Sequence, residues 1–361
     1  MATSFITSFS TDYKFSSDIR NVELQTDATK VAIALSADGT TLFSTTLFAF
    51  DGVVTIYNLR EIIEIYMLEK GVSFSIFCLE YTANEGADSG SANLNVIYCS
   101  HIMPISAADY TPQSFLTTLQ AKRTYPNSTE YLPLIHGISE FDVDAHCVFV
   151  TPAGAVLSTT ITLWTAEYEE NGVDTLIIRY SDIMLALAHD RFDVDRLLAY
   201  TINIGQRYIT YYVHAATPDV IFTFRNCFNA LESVAFFGVT TTKTKIERSI
   251  ASIFSVDSFY DQSTEKDYEF QTAPLTTEEG AWIEQLFESQ KVYIGTTQDI
   301  TNINSLPVVL ITDSSCEIND SNADLPRVKF TWRYAEKLPH HINVPTSDPN
   351  VFDDKFAYQY T

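Results

Sequence analysis

One short stretch of the sequence carries four polar side chains at alternate positions, and their residue types are those that bind metal ions. They are Glu140, Asp142, Asp144 and His146, with apolar residues between them. Alternate side chains of a strand project from one face, so the four would form a polar ladder. Carboxylates and an imidazole are accepted ligands of divalent cations. The alternative, which we favour, is the solvated outer face of an edge strand, where charges prevent unwanted pairing.

A basic pair, Lys243 and Lys245, offers a different kind of chemistry. The run 240–248 around it predicts a strand with both ammonium groups on one face. In so acidic a chain, that face is a candidate docking patch for an acidic neighbour. The alternative is an ordinary solvated strand face.

Motifs for catalysis are missing from the sequence. It has no Gly-x-Ser-x-Gly nucleophile elbow and neither of the glycine-rich phosphate-binding patterns. The seven histidines are dispersed, and none accompanies a recognisable Ser or Cys context. We therefore predict a protein that is not an enzyme and binds no cofactor. A metal-assisted hydrolase using the 140–146 ladder is a minor alternative.

Composition narrows the class of partner. Lys and Arg number 22 against 46 Asp and Glu, a formal net charge of −24. This argues against unaided binding to nucleic acid or to an anionic membrane, because phosphate neutralisation needs clustered basic residues. The five cysteines are scattered singly, which predicts free thiols in a reducing cytoplasm. Neither a signal peptide nor an apolar stretch long enough for membrane insertion is recognised.

The elements that would position these residues are mostly strands. Abundant aromatic and β-branched residues predict a mainly β fold of several antiparallel β-sandwich-like modules, with a few short helices and extended arms. Residues 1–110 are predicted as an N-terminal β domain, 111–133 as a proline-rich linker or arm, and 134–215 as a second β-rich segment that may pack with the first. A C-terminal β module follows at 216–340, and an extended tail at 341–361. No repeat of fixed period is found, which argues against solenoids and propellers.

Several local signals are sharp enough to predict individual elements. Asp38-Gly39 and Asp51-Gly52 predict hairpin turns. A helix is predicted at about 60–69, with Asn58 as its N-cap and Gly71 as its stop. A second is predicted at about 277–290, because a threonine cap and two glutamates precede an apolar stripe. Strict alternation over 327–334 predicts a half-buried strand.

The spaced aromatic residues of the tail predict a docking segment. They are Phe352, Phe356, Tyr358 and Tyr360. Three prolines precede them and favour an extended chain. We expect this tail to reach a neighbouring subunit.

Seven short stretches in the C-terminal third carry a resemblance. They read FRNCFN at 224–229, GVTTTKTK at 238–245, RSIA at 248–251, YEFQTAPL at 268–275, WIEQL at 282–286, LITDSSCE at 310–317 and VKFTWRYA at 328–335. Over about residues 218–335, the chain resembles uncharacterised proteins encoded in tailed-phage and prophage regions of gut-type bacteria. These are regarded as tail or baseplate structural components. The resemblance implies a structural role and transfers no catalytic residue.

The function expected from this resemblance is that of a virion structural protein of a tailed phage, in the tail, the baseplate or a tail-tip adaptor. It would act by assembling in host cytoplasm into a symmetric homo-oligomeric ring, with other virion tail proteins as further partners. The alternative is a carbohydrate- or receptor-binding, adhesin-like β-sandwich protein. Exposed tyrosines in the runs 168–180 and 208–212 would then stack on a host surface glycan.

Overall fold

The computed structural model describes residues 3–6, 12–83, 88–137, 139–169, 172–253, 256–316 and 327–336. Within these residues the chain forms strands arranged in five sheets, together with four α-helices. Most strand pairs are antiparallel. The predicted class, mainly β with sandwich-like modules and a few short helices, is confirmed.

The N-terminal module holds two sheets and one helix around a common core. Its elements are β1 (Ser4–Phe5), β2 (Tyr13–Phe15), β3 (Val22–Gln25), β4 (Lys30–Ala37), β5 (Thr40–Phe48), β6 (Val53–Ile56), α1 (Leu59–Lys70), β7 (Phe74–Ala83) and β8 (Asp88–Ile97). The larger sheet has the order β2-β8-β7-β4-β5, and the smaller has the order β1-β3-β6. Ile33, Val54 and Ile63 show how both sheets and α1 contribute to one buried cluster.

The turns of this module follow the sequence signals. Asp38 and Gly39 have φ angles of 48° and 71° between β4 and β5. Positive φ at both positions matches the right-handed twist of the flanking strands, which confirms the predicted hairpin. Gly71 ends α1 in the left-handed conformation, as predicted. Asn58 occupies the N-cap position, but its side chain makes no capping hydrogen bond.

The second module begins after a short helix, α2 (Ala107–Tyr110). Its elements are β9 (Ala121–Thr124), β10 (Thr129–His136), β11 (Ser139–Val150), β12 (Val156–Tyr168), β13 (Gly172–Arg179), α3 (Tyr180–His189), β14 (Arg196–Ile204) and β15 (Arg207–Val213). Five strands form a sheet in the order β12-β11-β14-β15-β9, and β10 pairs with β13. Leu134, Ile161 and Ile183 belong to its core.

The two modules repeat one topology. In each, a short strand runs parallel to the last strand of the larger sheet, as β2 does with β8 and β9 with β15. In each, two hairpins are joined through a separate strand and a helix, and the first strands of the two hairpins pair. The strand before the first hairpin pairs with the strand after it, as β3 does with β6 and β10 with β13. The sequence search for a fixed period missed this duplication.

Residues 111–133 were predicted as a linker, and this prediction is wrong. They contain β9 and the first half of β10, and every residue of β10 is buried. The prolines misled the interpretation. Pro133 is tolerated because, among the described residues, β10 pairs with β13 alone, so a proline in it need not remove a ladder hydrogen bond.

The third module is one seven-stranded sheet covered by a helix. Its elements are β16 (Val220–Arg225), β17 (Leu231–Phe236), β18 (Gly238–Ile253), β19 (Val256–Thr272), α4 (Thr277–Glu288), β20 (Val292–Ile294), β21 (Val308–Cys316) and β22 (Val328–Tyr334). The sheet order is β17-β16-β20-β21-β22-β19-β18. Val328, Phe330 and Trp332 of β22 are buried, which confirms the predicted alternation.

Helix α4 begins where the sequence predicts. The Thr276 hydroxyl accepts a hydrogen bond from the Glu279 N–H at 3.1 Å, and the Glu279 carboxylate accepts one from the Thr276 N–H at 2.8 Å. This reciprocal capping box satisfies two backbone donors that a helix start leaves unpaired. Trp282, Ile283 and Leu286 face the sheet as a buried stripe.

A further hydrophobic cluster joins the three modules. Phe15 and Cys99 come from the first, Ile135 from the second, and Cys227 and Phe228 from the third. We call this cluster the junction core. It means that the modules share buried surface and are not merely strung together. No helix among the described residues has the length and apolar character needed to cross a membrane.

Candidate functional site

The polar ladder lies on the outer face of the second module. Its four members project from β11 toward solvent, while Val143, Ala145 and Cys147 point into the core, as the alternation predicts. β11 pairs with β12 along its length and with β14 from Asp144 to Val150. The expectation of an edge strand is therefore wrong for Asp144 and His146, whereas Glu140 and Asp142 lie where, among the described residues, β11 pairs with β12 alone.

Three ladder residues are each bonded to a threonine of β12. The pairs are Asp142 with Thr165 at 2.7 Å, Asp144 with Thr162 at 2.8 Å and His146 with Thr160 at 3.0 Å. Same-face neighbours on a strand are spaced by about 6.7 Å, so the ladder spreads its side chains along the sheet. Across the described residues, no three His, Cys, Asp or Glu side chains form a group that could hold a metal ion.

Lys243 and Lys245 lie on one face of β18, as predicted, and each contacts a carboxylate of its own hairpin. Lys243 pairs with Glu269 at 2.5 Å, and Lys245 pairs with Glu247 at 2.9 Å. Glu269 also pairs with Lys329 at 2.5 Å, and these two lysines lower the pKa of Glu269 to about 2. The basic patch is therefore largely neutralised within the third module.

The β18–β19 hairpin extends beyond the sheet to which it belongs. β22 accompanies β19 only from Tyr268 to Gln271. Farther out, among the described residues, β18 and β19 pair with each other alone. Every residue from 239 to 248 is exposed, so both faces of the ribbon meet solvent. We call residues 243–253 and 256–267 the arm.

The two faces of the arm differ in chemistry. One face carries Lys243, Lys245 and Glu247. The other carries Thr244 and Ile246 and continues the side of the sheet on which Phe270 enters the core. Ile246 is 49% exposed and Ile250 is 60% exposed. A two-stranded ribbon is marginally stable in water, so a partner surface would complete the arm.

Two edge strands are long and uncharged. β5 and β12 occupy corresponding outer edges of the two repeated modules. All nine residues of β5 lack charge, and so do residues 156–166 of β12. Soluble proteins usually blunt such edges with charges, prolines or shortness. In a chain of net charge −24, these two edges are stretches of surface without charge.

A buried ion pair fastens the second module to the third. The Lys122 Nζ and a Glu130 carboxylate oxygen are 2.6 Å apart, and their side chains are only 6% and 4% exposed. Lys122 also donates to the Ser233 carbonyl at 2.9 Å, and the Ser233 hydroxyl donates to Glu130 at 2.8 Å. Ser233 belongs to β17, so two of the hydrogen bonds around the pair are made only when both modules are in place. This pair was not predicted from the sequence.

A second buried carboxylate lies beside this pair. Glu232 accepts a hydrogen bond from the Trp282 indole N–H at 2.5 Å. Burial raises the pKa of Glu232 above its ordinary value, and the Lys122 ammonium counteracts part of that rise. A charged residue inside an apolar strand, as in β10 and β17, was the only sequence signal for this cluster.

A cleft opens between the second and third modules beside β9. Its volume is about 640 Å³, and Arg123, Tyr212, His214 and Glu278 are among its lining residues. Tyr212 is 58% exposed, on the solvent face of β15. An exposed aromatic ring beside hydrogen-bonding side chains is a combination that sugar-binding sites use.

The aromatic tail residues Phe352, Phe356, Tyr358 and Tyr360 lie outside the described residues. Their predicted docking on a neighbouring subunit stays a prediction. The tail predicted at 341–361 lies outside them as well.

Comparisons with known proteins assign no family. No protein-family model and no curated protein matches the sequence. Among solved structures, Rst D1-D2 aligns over 60% of this chain and 100% of its own, at 9% identity and a TM-score of 0.24. The titin domains Z1Z2 in complex with telethonin align over 60% of this chain and 97% of their own, at 12% identity and a TM-score of 0.19. Fibronectin(III)-like modules of Clostridium thermocellum CbhA align over 59% of this chain and 95% of their own, at 7% identity and a TM-score of 0.17. Likenesses this low carry no functional argument.

The buried ion pair yields a stability prediction. We expect Lys122→Met to destabilise the protein by about 3–5 kcal/mol, because it leaves Glu130 buried without its cation. Lys243→Met is the matched control: that side chain is 63% exposed, so we expect a change within about 1 kcal/mol. Urea unfolding of both variants measures the difference. Equal losses would contradict the role given to Lys122.

Glu232 yields a pH prediction. Its folded-state pKa is raised, so its contribution to stability is greatest below the ordinary value of 4.5 and declines as pH rises through the folded value. Glu232→Gln keeps an acceptor for Trp282 and removes this decline. We therefore expect the stability of the variant relative to wild type to increase from pH 4.5 toward neutrality, measured by urea unfolding at a series of pH values. A difference that does not vary with pH would contradict this assignment.

Proposed function

We propose that this protein is a structural component of a tailed-phage virion, in the tail, the baseplate or a tail-tip adaptor. It acts by assembling into a symmetric homo-oligomer and by contacting other virion tail proteins. It performs no catalysis, needs no cofactor and does not bind nucleic acid directly. The place of action is the virion, after assembly in host cytoplasm.

The arm is the observation that carries this proposal. A hairpin that leaves its sheet exposes backbone and side chains on both faces, and it contributes little to the core of its own subunit. Such a ribbon becomes stable when a neighbouring surface covers it. The neighbour we propose is another copy of this chain, since a heterologous contact of arm on body, repeated by rotation, closes a ring.

Three further observations support the proposal. The uncharged edges of β5 and β12 provide strand-pairing surfaces in a chain whose net charge otherwise keeps copies apart. The resemblance to phage-encoded tail and baseplate proteins covers residues 218–335, the module from which the arm projects. The junction core and the Lys122–Glu130 pair supply a rigid body on which the arm can be held in one direction.

Shortening the arm tests the proposal. Residues 244–266 are replaced by Asn-Gly, a two-residue turn suited to joining Lys243 to its cross-strand partner Asp267. We expect a folded protein whose melting temperature changes little, because residues 244–248 are exposed and, among the described residues, this part of the hairpin pairs only with itself. We also expect loss of the oligomer, with light scattering reporting the mass of a single chain. A wild-type protein that is itself monomeric in the same measurement would contradict self-assembly.

Point changes on the two faces of the arm refine the test. Ile246→Asp places a charge on the threonine–isoleucine face, and we expect it to break the oligomer. Lys245→Gln removes a charge from the opposite face and serves as its control, with the oligomer retained. The reverse result would assign the contact to the charged face, on which Lys243 and Lys245 lie.

A second candidate function is recognition of a host surface glycan or receptor. The cleft beside β9 favours it, because Tyr212 stands exposed at a cavity of about 640 Å³ that also offers Arg123 and Glu278. Aromatic rings stack on sugars, and flanking polar groups bond their hydroxyls. The arm would then hold the binding subunits together as an adhesin-like assembly.

A glycan array separates the two functions. If this second function holds, wild type binds a defined glycan, and we expect Tyr212→Ala to weaken binding at least tenfold, which corresponds to about 1.4 kcal/mol. Tyr208→Ala is the matched control, since Tyr208 is 49% exposed on the same strand but does not line the cleft. No binding by wild type, or equal loss in both variants, would contradict glycan recognition in this cleft.

A further inference from the structure

Two cysteines from different modules meet in the junction core. Cys99 follows β8 of the first module, and Cys227 lies in the turn between β16 and β17 of the third. Both are buried members of one cluster, and the Cys99 thiol donates to the His101 carbonyl at 3.2 Å. Singly spaced cysteines far apart in sequence gave no sign of this pairing.

Hydrogen bonds fix the two cysteine segments side by side. The N–H of Ser100, the residue after Cys99, donates to the Cys227 carbonyl at 3.0 Å. The Cys99 N–H donates to the Ser16 hydroxyl at 3.0 Å, and the Cys227 N–H donates to the Gln285 side chain at 3.0 Å. Because a backbone hydrogen bond joins the residue after Cys99 directly to Cys227, the two cysteine segments are adjacent, which a disulfide requires.

A cleft borders one of the two cysteines. A cleft of about 250 Å³ between the first and third modules is lined by Ser100, Cys227, Gln285 and Glu288. Cys227 therefore borders a space that a small reagent can enter, whereas Cys99 lies behind it with no exposed surface. Thiol–disulfide exchange proceeds through a mixed disulfide at the thiol that the reagent reaches, and Cys227 is the nearer of the two to the cleft.

We propose that Cys99 and Cys227 form a redox-responsive pair that closes into a disulfide between the first and third modules. The oxidant is a low-molecular-weight disulfide that enters the cleft. The Cys227 sulfur attacks it, forms a mixed disulfide and releases one thiolate. The Cys99 sulfur then attacks Sγ of Cys227 and expels the second thiolate. The two cysteine protons pass to the two released thiols, so the reaction balances.

The electrostatics of the pair suit the second step. The hydrogen bond from the Cys227 thiol lowers the pKa of Cys99, which favours its thiolate. The same contact and burial raise the pKa of Cys227, so the first attack is slow. Once formed, the bond encloses the whole second module in a covalent loop and prevents the outer modules from separating. Closing so long a loop restricts the unfolded chain strongly.

Oxidised glutathione is the probe for the experiment. The native full chain is incubated with it, alkylated in denaturant and digested for peptide mapping. We expect one peptide pair joined through Cys99 and Cys227, the loss of their two thiols, and reversal by dithiothreitol. The melting temperature of the oxidised protein should rise by several degrees. Cys78→Ser is the control variant: Cys78 lies away from the junction, so the joined peptide should persist.

Cys99→Ser distinguishes the pair from ordinary thiol modification. It removes the resolving sulfur, so Cys227 should stop at the mixed disulfide with glutathione and the rise in melting temperature should disappear. If the variant does not fold, the wild-type peptide map decides alone. Recovery of Cys99 and Cys227 as free thiols in wild type, or of each as a separate glutathione adduct, would overturn the proposal. None of these outcomes depends on the oligomeric state.

Discussion

The arrangement of the three modules depends on one charged contact taken out of water. Lys122 and Glu130 lie on strands of the second module, yet each is also hydrogen-bonded to Ser233 of the third. An ion pair at such burial is stabilising only when these extra bonds are made. The contact therefore constrains the geometry, because a displaced third module would remove the Ser233 hydrogen bonds from both buried charges. The junction core and the α4 helix can adapt by repacking, whereas this pair cannot.

Duplication of one topology gives the molecule a property that neither module has alone. In each of the first two modules, an uncharged strand forms the outer edge of the larger sheet, β5 in one and β12 in the other. The third module breaks the pattern, with a single wide sheet and an arm. The chain thus combines two similar edges with one different projection. Unlike surfaces on one subunit are what a head-to-tail ring needs.

The sequence predicted elements wherever a local rule decides the structure. The Asp38-Gly39 turn, the Thr276 capping box and the alternation of β22 all depend on residues within one turn or one strand. Prediction from the sequence failed where a strand pairs with another that is distant along the chain. Residues 111–133 looked like a linker because the strand partners of β9 and β10 lie far along the chain, at β15 and β13. Of the candidate sites, the ladder and Lys245 were placed on the correct faces, but the arm and the buried cluster needed long-range pairing to be seen.

The parallel strands β2 and β9 also constrain how the protein is made. Each is the first strand of the larger sheet of its module to leave the ribosome, and each pairs with the last, β8 or β15. Neither sheet can be completed until its whole module has emerged. Closure between such distant segments is slow, because the entropy of a long loop is lost before the contact forms. During synthesis, the uncharged strands β5 and β12 are therefore exposed beside unfinished sheets. We expect this chain to fold best where nascent copies are kept apart.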